Sequence, residues 1–375
     1  MSTQHGSIVL RPINEVAKYQ KNLIPAIIPE FYTLKPMFKN VAGESDIRNG
    51  IIAFRDFLYQ LCDLLISNGH LYAKPPGKPK SIADYPFLFN ITNLLVDIGY
   101  HSKLATGSNS LVITKLPVCA AVIDENGKKT PPKISASNTR ECLRFLSLCG
   151  FKFNGVDLDS KTFLISETQK FEVFYPDNPV LLIGLKTLSI ADMELRTGRR
   201  YWNDNNLLRC DYRLLMAVEP DMRDILIDFL YPLPSLVREF ALKLHKRYTE
   251  NGLTCINTRL GLVSFAYANI GKSSKNLSER DIYSKRIWEF SYSIKDGYCL
   301  FVRPKKTEKY MDIIKTFHVS LQDKIAKGYG CDRKRNEPCQ HGCQGIRIHL
   351  DDSILKIEKD IETWLDNEVP GLLKE

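Results

Sequence analysis

The stretch CDRKRNEPCQHGC, from Cys331 to Cys343, puts three cysteines and a histidine within thirteen positions. Thiolate sulfur and imidazole nitrogen are the donors that zinc prefers, four at a time in a tetrahedron. Cys331, Cys339 and Cys343 supply three, and His341 is the expected fourth. His349, or Cys299 from a neighbouring strand, can take its place. Glycines at 328, 330, 342 and 345 permit the tight turns that aim such side chains inward. Apolar residues nearly vanish between Cys331 and Cys343, so these thiols are not explained as core packing. The C-x7-C-x3-C spacing departs from the C-x2-4-C pairs of zinc fingers, and the close cysteine triplets of iron–sulfur proteins are absent. A structural zinc site is therefore the leading expectation for the cofactor. An iron–sulfur cluster and free thiols, including a redox pair, are the alternatives.

The same residues suggest two catalytic readings. The HGCQG around Cys343 is similar to the caspase nucleophile pattern, whose partner histidine stands about 50 residues upstream. No histidine occurs between His245 and His318, so that match fails. A nucleophilic Cys343 with a thiolate favoured by nearby Lys and Arg stays open, but the sequence names no base. Gly271-Lys272-Ser273 invites comparison with a P-loop, but the required earlier glycine is Ala266, so no phosphate-wrapping loop is expected.

Charge suggests a partner. Lys and Arg total 52 against 43 Asp and Glu, a formal charge of +9. Residues 301–349 carry 11 basic and 5 acidic side chains, whereas 350–375 carry 3 and 8. A basic segment is thus followed by an acidic one able to fold back on it. Arg333 and Arg335 in the first segment are candidate nucleic-acid contacts. So are Arg199 and Arg200 in RTGRRYWNDNNLLRCDYR, where arginines and aromatics interleave as they do on base-stacking surfaces. A solvated face is the plainer reading of both.

The elements that must position these residues follow from periodicity. The run NGIIAFRDFLYQLCDLLISNGH is an amphipathic helix expected to close at Asn68-Gly69. Phe87, Ile91, Leu94, Leu95 and Ile98 form the apolar face of the next helix, which ends near Gly99 and leads into a hairpin. A helix from Ser137 or Asn138 to Gly150, a second pair of strands and a helix after Pro179 repeat that order. The Pro-, Gly- and Lys-rich stretches 74–80 and 124–133 read as linkers. Further on come helices over DILIDFL and SLVREFALKLHKRYTE, two strands in LTCINTRLGLVSFAYA, and a helix expected from a Ser278/Asp281 capping box. A strand over GYCLFVR, two helices into the cysteine stretch and a final acidic helix striped by Ile354, Ile357, Ile361 and Leu365 complete the series. The acidic helix is expected to dock on its own basic domain.

The twice-repeated helix–hairpin order over residues 46–195 resembles the winged-helix arrangement. That resemblance implies binding of DNA or docking of protein. The first helix carries no Lys or Arg and offers only Asn90, Thr92 and Asn93 as polar readers; the second offers Arg140 and Arg144.

The expected fold is α+β. Its parts are an N-terminal segment (1–45), a winged-helix-like unit (46–123), a second helix–hairpin unit (134–220) and a C-terminal α/β domain (221–375). The start has no export signal, no apolar run reaches the length of a spanning helix, and most cysteines sit singly in apolar runs. A cytoplasmic protein without membrane contact is expected. Its leading function class is regulatory or nucleic-acid-associated with a protein or nucleic-acid partner. An enzyme with a site near Arg303, Lys305 and the cysteines, or an interaction scaffold, stands second.

Overall fold

The computed structural model describes residues 12–72, 86–105, 107, 109–123, 125, 127–160, 170–195, 207–258, 263–270, 282, 285–304, 307–327 and 345–369. The chain is α+β and divides into two compact units, Met1–Pro220 and Asp221–Glu375. Among the described residues no helix is long and apolar enough to cross a membrane.

The first unit is built around one helix. Its elements are α1 (Ile13–Lys21), α2 (Glu44–Tyr72), α3 (Pro86–Tyr100), β1 (Ser102–Leu104), β2 (Leu111–Ile113), β3 (Val122–Ile123), β4 (Lys129–Thr130), α4 (Ala136–Leu148), β5 (Lys152–Asn154), β6 (Phe171–Phe174) and α5 (Leu181–Glu194). Helix α5 is buried nearly all round, polar Thr187, Ser189 and Asp192 included, as befits a helix whose residues lack a polar stripe. Helices α2 and α3 cross it at glycines. A Cβ on Gly184 would stand 2.0 Å from the Gly50 carbonyl oxygen, and one on Gly99 would stand 2.1 Å from Ser189 Oγ. Both crossings require hydrogen where other residues carry carbon.

The two expected hairpins are present, and they share one sheet. The strand order is β1-β2-β6-β5, with Leu111 opposite Val173 at the central pairing. Three local expectations are corrected. Helix α2 does not stop at Asn68-Gly69; it kinks at Asn68 and runs on to Tyr72. The stretch 124–133 is not a plain linker, because Lys129 and Thr130 pair with Ile123 and Val122. Helix α4 starts at Ala136, with Ser135 Oγ accepting the Asn138 N–H as its cap.

The second unit is an antiparallel meander: β7 (Thr254–Thr258), β8 (Val263–Ala268), β9 (Arg286–Ser293), β10 (Gly297–Val302) and β11 (Ile346–His349), in spatial order β11-β10-β9-β8-β7. Around it lie α6 (Met222–Leu230), α7 (Ser235–Glu250), α8 (Met311–Ile314), α9 (Val319–Lys327) and α10 (Glu358–Glu368). The helix expected from Ser278 is replaced, from Arg286 onward, by the central strand. Trp288, Phe290 and Tyr292 alternate with Glu289 and Ser291, and that period of two sets the strand there; Ser278 and Asp281 lie outside the described residues. The aromatic face packs on helices: Phe229 of α6 meets Phe265, Tyr248 of α7 meets Trp288, and Tyr267 stacks on Trp288 at 3.6 Å.

The acidic helix docks as its pattern predicts. Ile354, Ile361, Trp364 and Leu365 are fully buried. Lys243 of α7 pairs with Glu358 and Glu362 at 2.7 and 2.6 Å, and Arg247 pairs with Asp366 at 2.5 Å. Half-exposed pairs of this kind are worth about 0–1 kcal/mol each, whereas each buried large apolar side chain is worth roughly 1.5–3 kcal/mol. The apolar stripe therefore holds the helix, and the charges select its register.

Two outcomes test this packing. Gly184→Ala should destabilise the first unit by about 2–3 kcal/mol or more in denaturant unfolding, because backbone rather than a mobile side chain opposes the methyl. Deleting residues from Asp351 onward should expose apolar surface and drive aggregation, read by light scattering; a soluble, equally stable truncation would contradict the docking.

Candidate functional site

The face of the second sheet opposite its aromatic layer is polar. Antiparallel register sets Ser264, Ser291, Cys299 and His349 in one row across β8, β9, β10 and β11, since directly paired residues project to the same side. The next row is Ala266, Glu289, Phe301 and Arg347. Glu289 is buried and pairs with Arg286 at 3.0 Å. The Arg347 and Arg303 guanidiniums lie 4.7 and 5.1 Å from the Phe301 ring centre, one cation–π contact each.

Cys299 and His349 are the chemically distinctive members. The Cys299 Sγ stands 3.6 Å from His349 Nδ1 and 3.3 Å from the Asp296 carbonyl oxygen, to which it donates. The thiol is buried while His349 is exposed, so the row opens to solvent at the imidazole end. Burial pushes the Cys299 thiol up to about 11; Asp296 adds to the rise, and Arg347 and Lys324 oppose it. Asp351 sits beside this end. The Ser353 hydroxyl and N–H hold its carboxyl below the usual range, and His349 and Lys324 reinforce them.

Two chemistries suit a thiol facing an imidazole. A nucleophilic pair needs the thiolate at rest, and a buried, neutral thiol opposes that. A metal-ligand pair needs only the right separation. Zinc holds sulfur at about 2.3 Å and imidazole nitrogen at about 2.0–2.1 Å, so two such ligands at the tetrahedral angle stand roughly 3.5 Å apart. The observed 3.6 Å fits that edge. Among the described residues no third His, Cys, Asp or Glu joins the pair in a metal-sized group. The remaining donors would have to come from outside them.

The candidate ligands Cys331, Cys339, Cys343 and His341 lie outside the described residues, as do Arg199, Arg200, Arg333 and Arg335. The structure does bring together Cys299 and His349, the two substitute ligands. It also fixes the flanks of the cysteine stretch: α9 carries Lys324 into the field of Cys299, and Gly345 abuts the Val302 carbonyl of the same strand.

The nucleic-acid readers fare differently. Asn90 and Thr92 are buried in α3, and Thr92 Oγ1 donates to the Leu88 carbonyl. Asn93 donates to the Phe89 carbonyl. Arg140 and Arg144 of α4 donate to the Ser160 and Leu158 carbonyls, and Arg144 also pairs with Asp159 at 2.9 Å. Thr92 and Asn93 thus bond within their own helix, and Arg140 and Arg144 tie α4 to residues 158–160. The end of the interleaved arginine stretch is core: Leu207, Leu208, Cys210 and Tyr212 are buried, and Arg213 pairs with Asp211.

Sequence reasoning missed the polar row as a whole. The signal was present in IRIH, where Ile346 and Ile348 alternate with Arg347 and His349, but four residues carry little weight without their partner strand.

No protein-family model, no curated protein and no solved structure matches this chain.

The resting state of the thiol is testable. With a pKa of about 11, only about one thiol in a thousand is ionised at pH 8. Metal-free protein should therefore alkylate at Cys299 far more slowly than an unfolded control at pH 8, with the rate still climbing above pH 10. Rapid labelling at pH 7 would show an activated thiolate.

Proposed function

We propose that this chain is a regulatory or nucleic-acid-associated intracellular protein whose C-terminal unit is organised by a structural zinc ion. Cys299 and His349 supply two of the four ligands, and the other two come from among Cys331, Cys339, Cys343 and His341. The observation that carries this reading is the 3.6 Å separation of a thiol and an imidazole locked opposite each other in a β-ladder.

Three further facts support it. The pair is held in register by a four-residue ladder whose Ile346, Ile348, Leu300 and Val302 are buried. Only the 17 residues 328–344 separate the end of α9 from Gly345, and both anchors are tied to the strand that bears Cys299. All seven described cysteines are free, in keeping with a reducing compartment such as the cytoplasm. Zinc would close the cysteine stretch against the sheet. The enzyme reading gains nothing from a buried, neutral Cys299.

Metal analysis of protein purified without a metal column should find about one zinc per chain. Cys299→Ser and His349→Ala should each lose most of it, whereas Cys62→Ser, in the core of α2, should retain it. Losing zinc should unfold the stretch locally, seen as faster amide exchange in β11, and leave the first unit's melting unchanged. Native protein with no stoichiometric metal and rapidly reacting Cys331, Cys339 and Cys343 would overturn the reading.

A further inference from the structure

The first unit carries a run rich in lysine about the end of α3. Five lysines and no arginine fall between residues 97 and 133, against Asp97, Asp124 and Glu125. Lys103, Lys115, Lys129 and Lys133 are exposed, and among the described residues none of the four forms an ion pair. Elsewhere in the unit Lys21, Lys39, Arg48, Arg55, Arg144 and Arg213 all face carboxylates.

The backbone gathers these charges. Asp97, near the end of α3, accepts the Val118 N–H at 2.7 Å, and the Val118 carbonyl accepts the Ile134 N–H at 3.1 Å. Lys133 is thereby held beside α3, and Lys133, Lys115 and His101 all act on the Asp97 carboxylate. Thr114 Oγ1 donates to the His101 carbonyl at 3.3 Å, which fixes Lys115 beside His101 and Lys103 two residues further along. Lys129 stands on β4, four residues before Lys133, in a hairpin where a Cβ added at Gly127 would meet nothing within 4 Å. The carbonyl end of α3 would repel an anion. Lys186 offsets this by donating to the Ser102 and Gly99 carbonyls at 2.7 and 3.4 Å.

We propose that this surface, Lys103, Lys115, Lys129 and Lys133 about the end of α3, binds the phosphate backbone of a nucleic acid. The inference rests on the nucleic-acid part of the reading above and assigns it to these lysines rather than to Arg199, Arg200, Arg333 and Arg335. Lysine is a strongly hydrated point charge without the planar fork that reads guanine. The contact is therefore to phosphate and indifferent to sequence.

The test is fluorescence anisotropy of the full chain with a labelled 20-base-pair DNA duplex and a single-stranded RNA of equal length. Competition by polyglutamate and titration with salt complete it. Log affinity should fall linearly with log salt, and Lys115→Glu with Lys133→Glu should weaken binding about tenfold or more and flatten the salt slope by roughly one per lost phosphate contact. Lys18→Glu, on α1, should change affinity less than about twofold. Because Lys115 and Lys133 act on Asp97, the pair Lys103→Glu with Lys129→Glu, which does not, is the folding control: it should weaken binding by a similar factor and melt like the parent chain. Binding that ignores these reversals but is lost on reversing Arg199 and Arg200, or Arg333 and Arg335, overturns this location and spares the nucleic-acid reading. No binding to either nucleic acid at low salt overturns both. Polyglutamate binding as tight as DNA, with the same loss on reversal, assigns the patch to an acidic protein instead. None of these outcomes depends on zinc, which metal analysis decides separately.

Discussion

The register between β10 and β11 is the constraint on which the functional account depends. Cys299 stands opposite His349 because Val302 stands opposite Ile346, and each step along the ladder preserves the pairing. A slip of one residue would send His349 to the aromatic side and Ile348 to the polar one. The slip is opposed by burial: Ile346, Ile348, Leu300 and Val302 all belong to the packed face. The apolar core therefore specifies the position of two polar side chains on the opposite side. The Leu350 N–H, donating to the Tyr298 carbonyl at 2.9 Å, continues the pairing beyond His349. The tight turn before β10 is tied by Ser293, whose Oγ accepts the Asp296 N–H at 3.0 Å, and the Asp296 carbonyl in turn holds the Cys299 thiol.

In the first unit a backbone approach sets the geometry. Contact of α2 with α5 at Gly50 and Gly184 brings two helices closer than side chains would allow, and Gly99 does the same for α3. With α5 surrounded, polar groups near it must find internal partners, as Lys186 and Thr187 do. The lysines about the end of α3 have no such role. The packing fixes their backbones and leaves their charges to solvent.

Legibility in the sequence followed the length over which each signal acts. Helices α2, α3 and α7 were legible because their apolar spacing repeats over several turns, α5 because an apolar run follows Pro179, and Asn251-Gly252 marks the end of α7. The stripe of α10 and its acidic face were legible for the same reason. Asn68-Gly69 misled because tertiary packing carries a helix through a local stop signal: Gly69 lies against Ile13 of α1. The helix expected from Ser278 was drawn too far: from Arg286 onward an alternation of eight residues makes a strand, while Ser278 and Asp281 lie outside the described residues. The β3–β4 hairpin was hidden by prolines just after its second strand, which suggested a linker. Cys299 and His349 were visible as residue types, but 49 positions separate them in the chain, and only the strand pairing makes them neighbours. The three clustered cysteines were conspicuous by composition alone.

X-ray absorption at the zinc edge tests the central claim most directly, because it counts the donors around the ion. The account predicts a mixed shell in the full chain, with sulfur at about 2.3 Å and imidazole nitrogen at about 2.0–2.1 Å. His349→Ala should remove nitrogen scattering, and Cys299→Ser should remove one sulfur. A shell of oxygen and nitrogen only, or one unchanged by both substitutions, would contradict it.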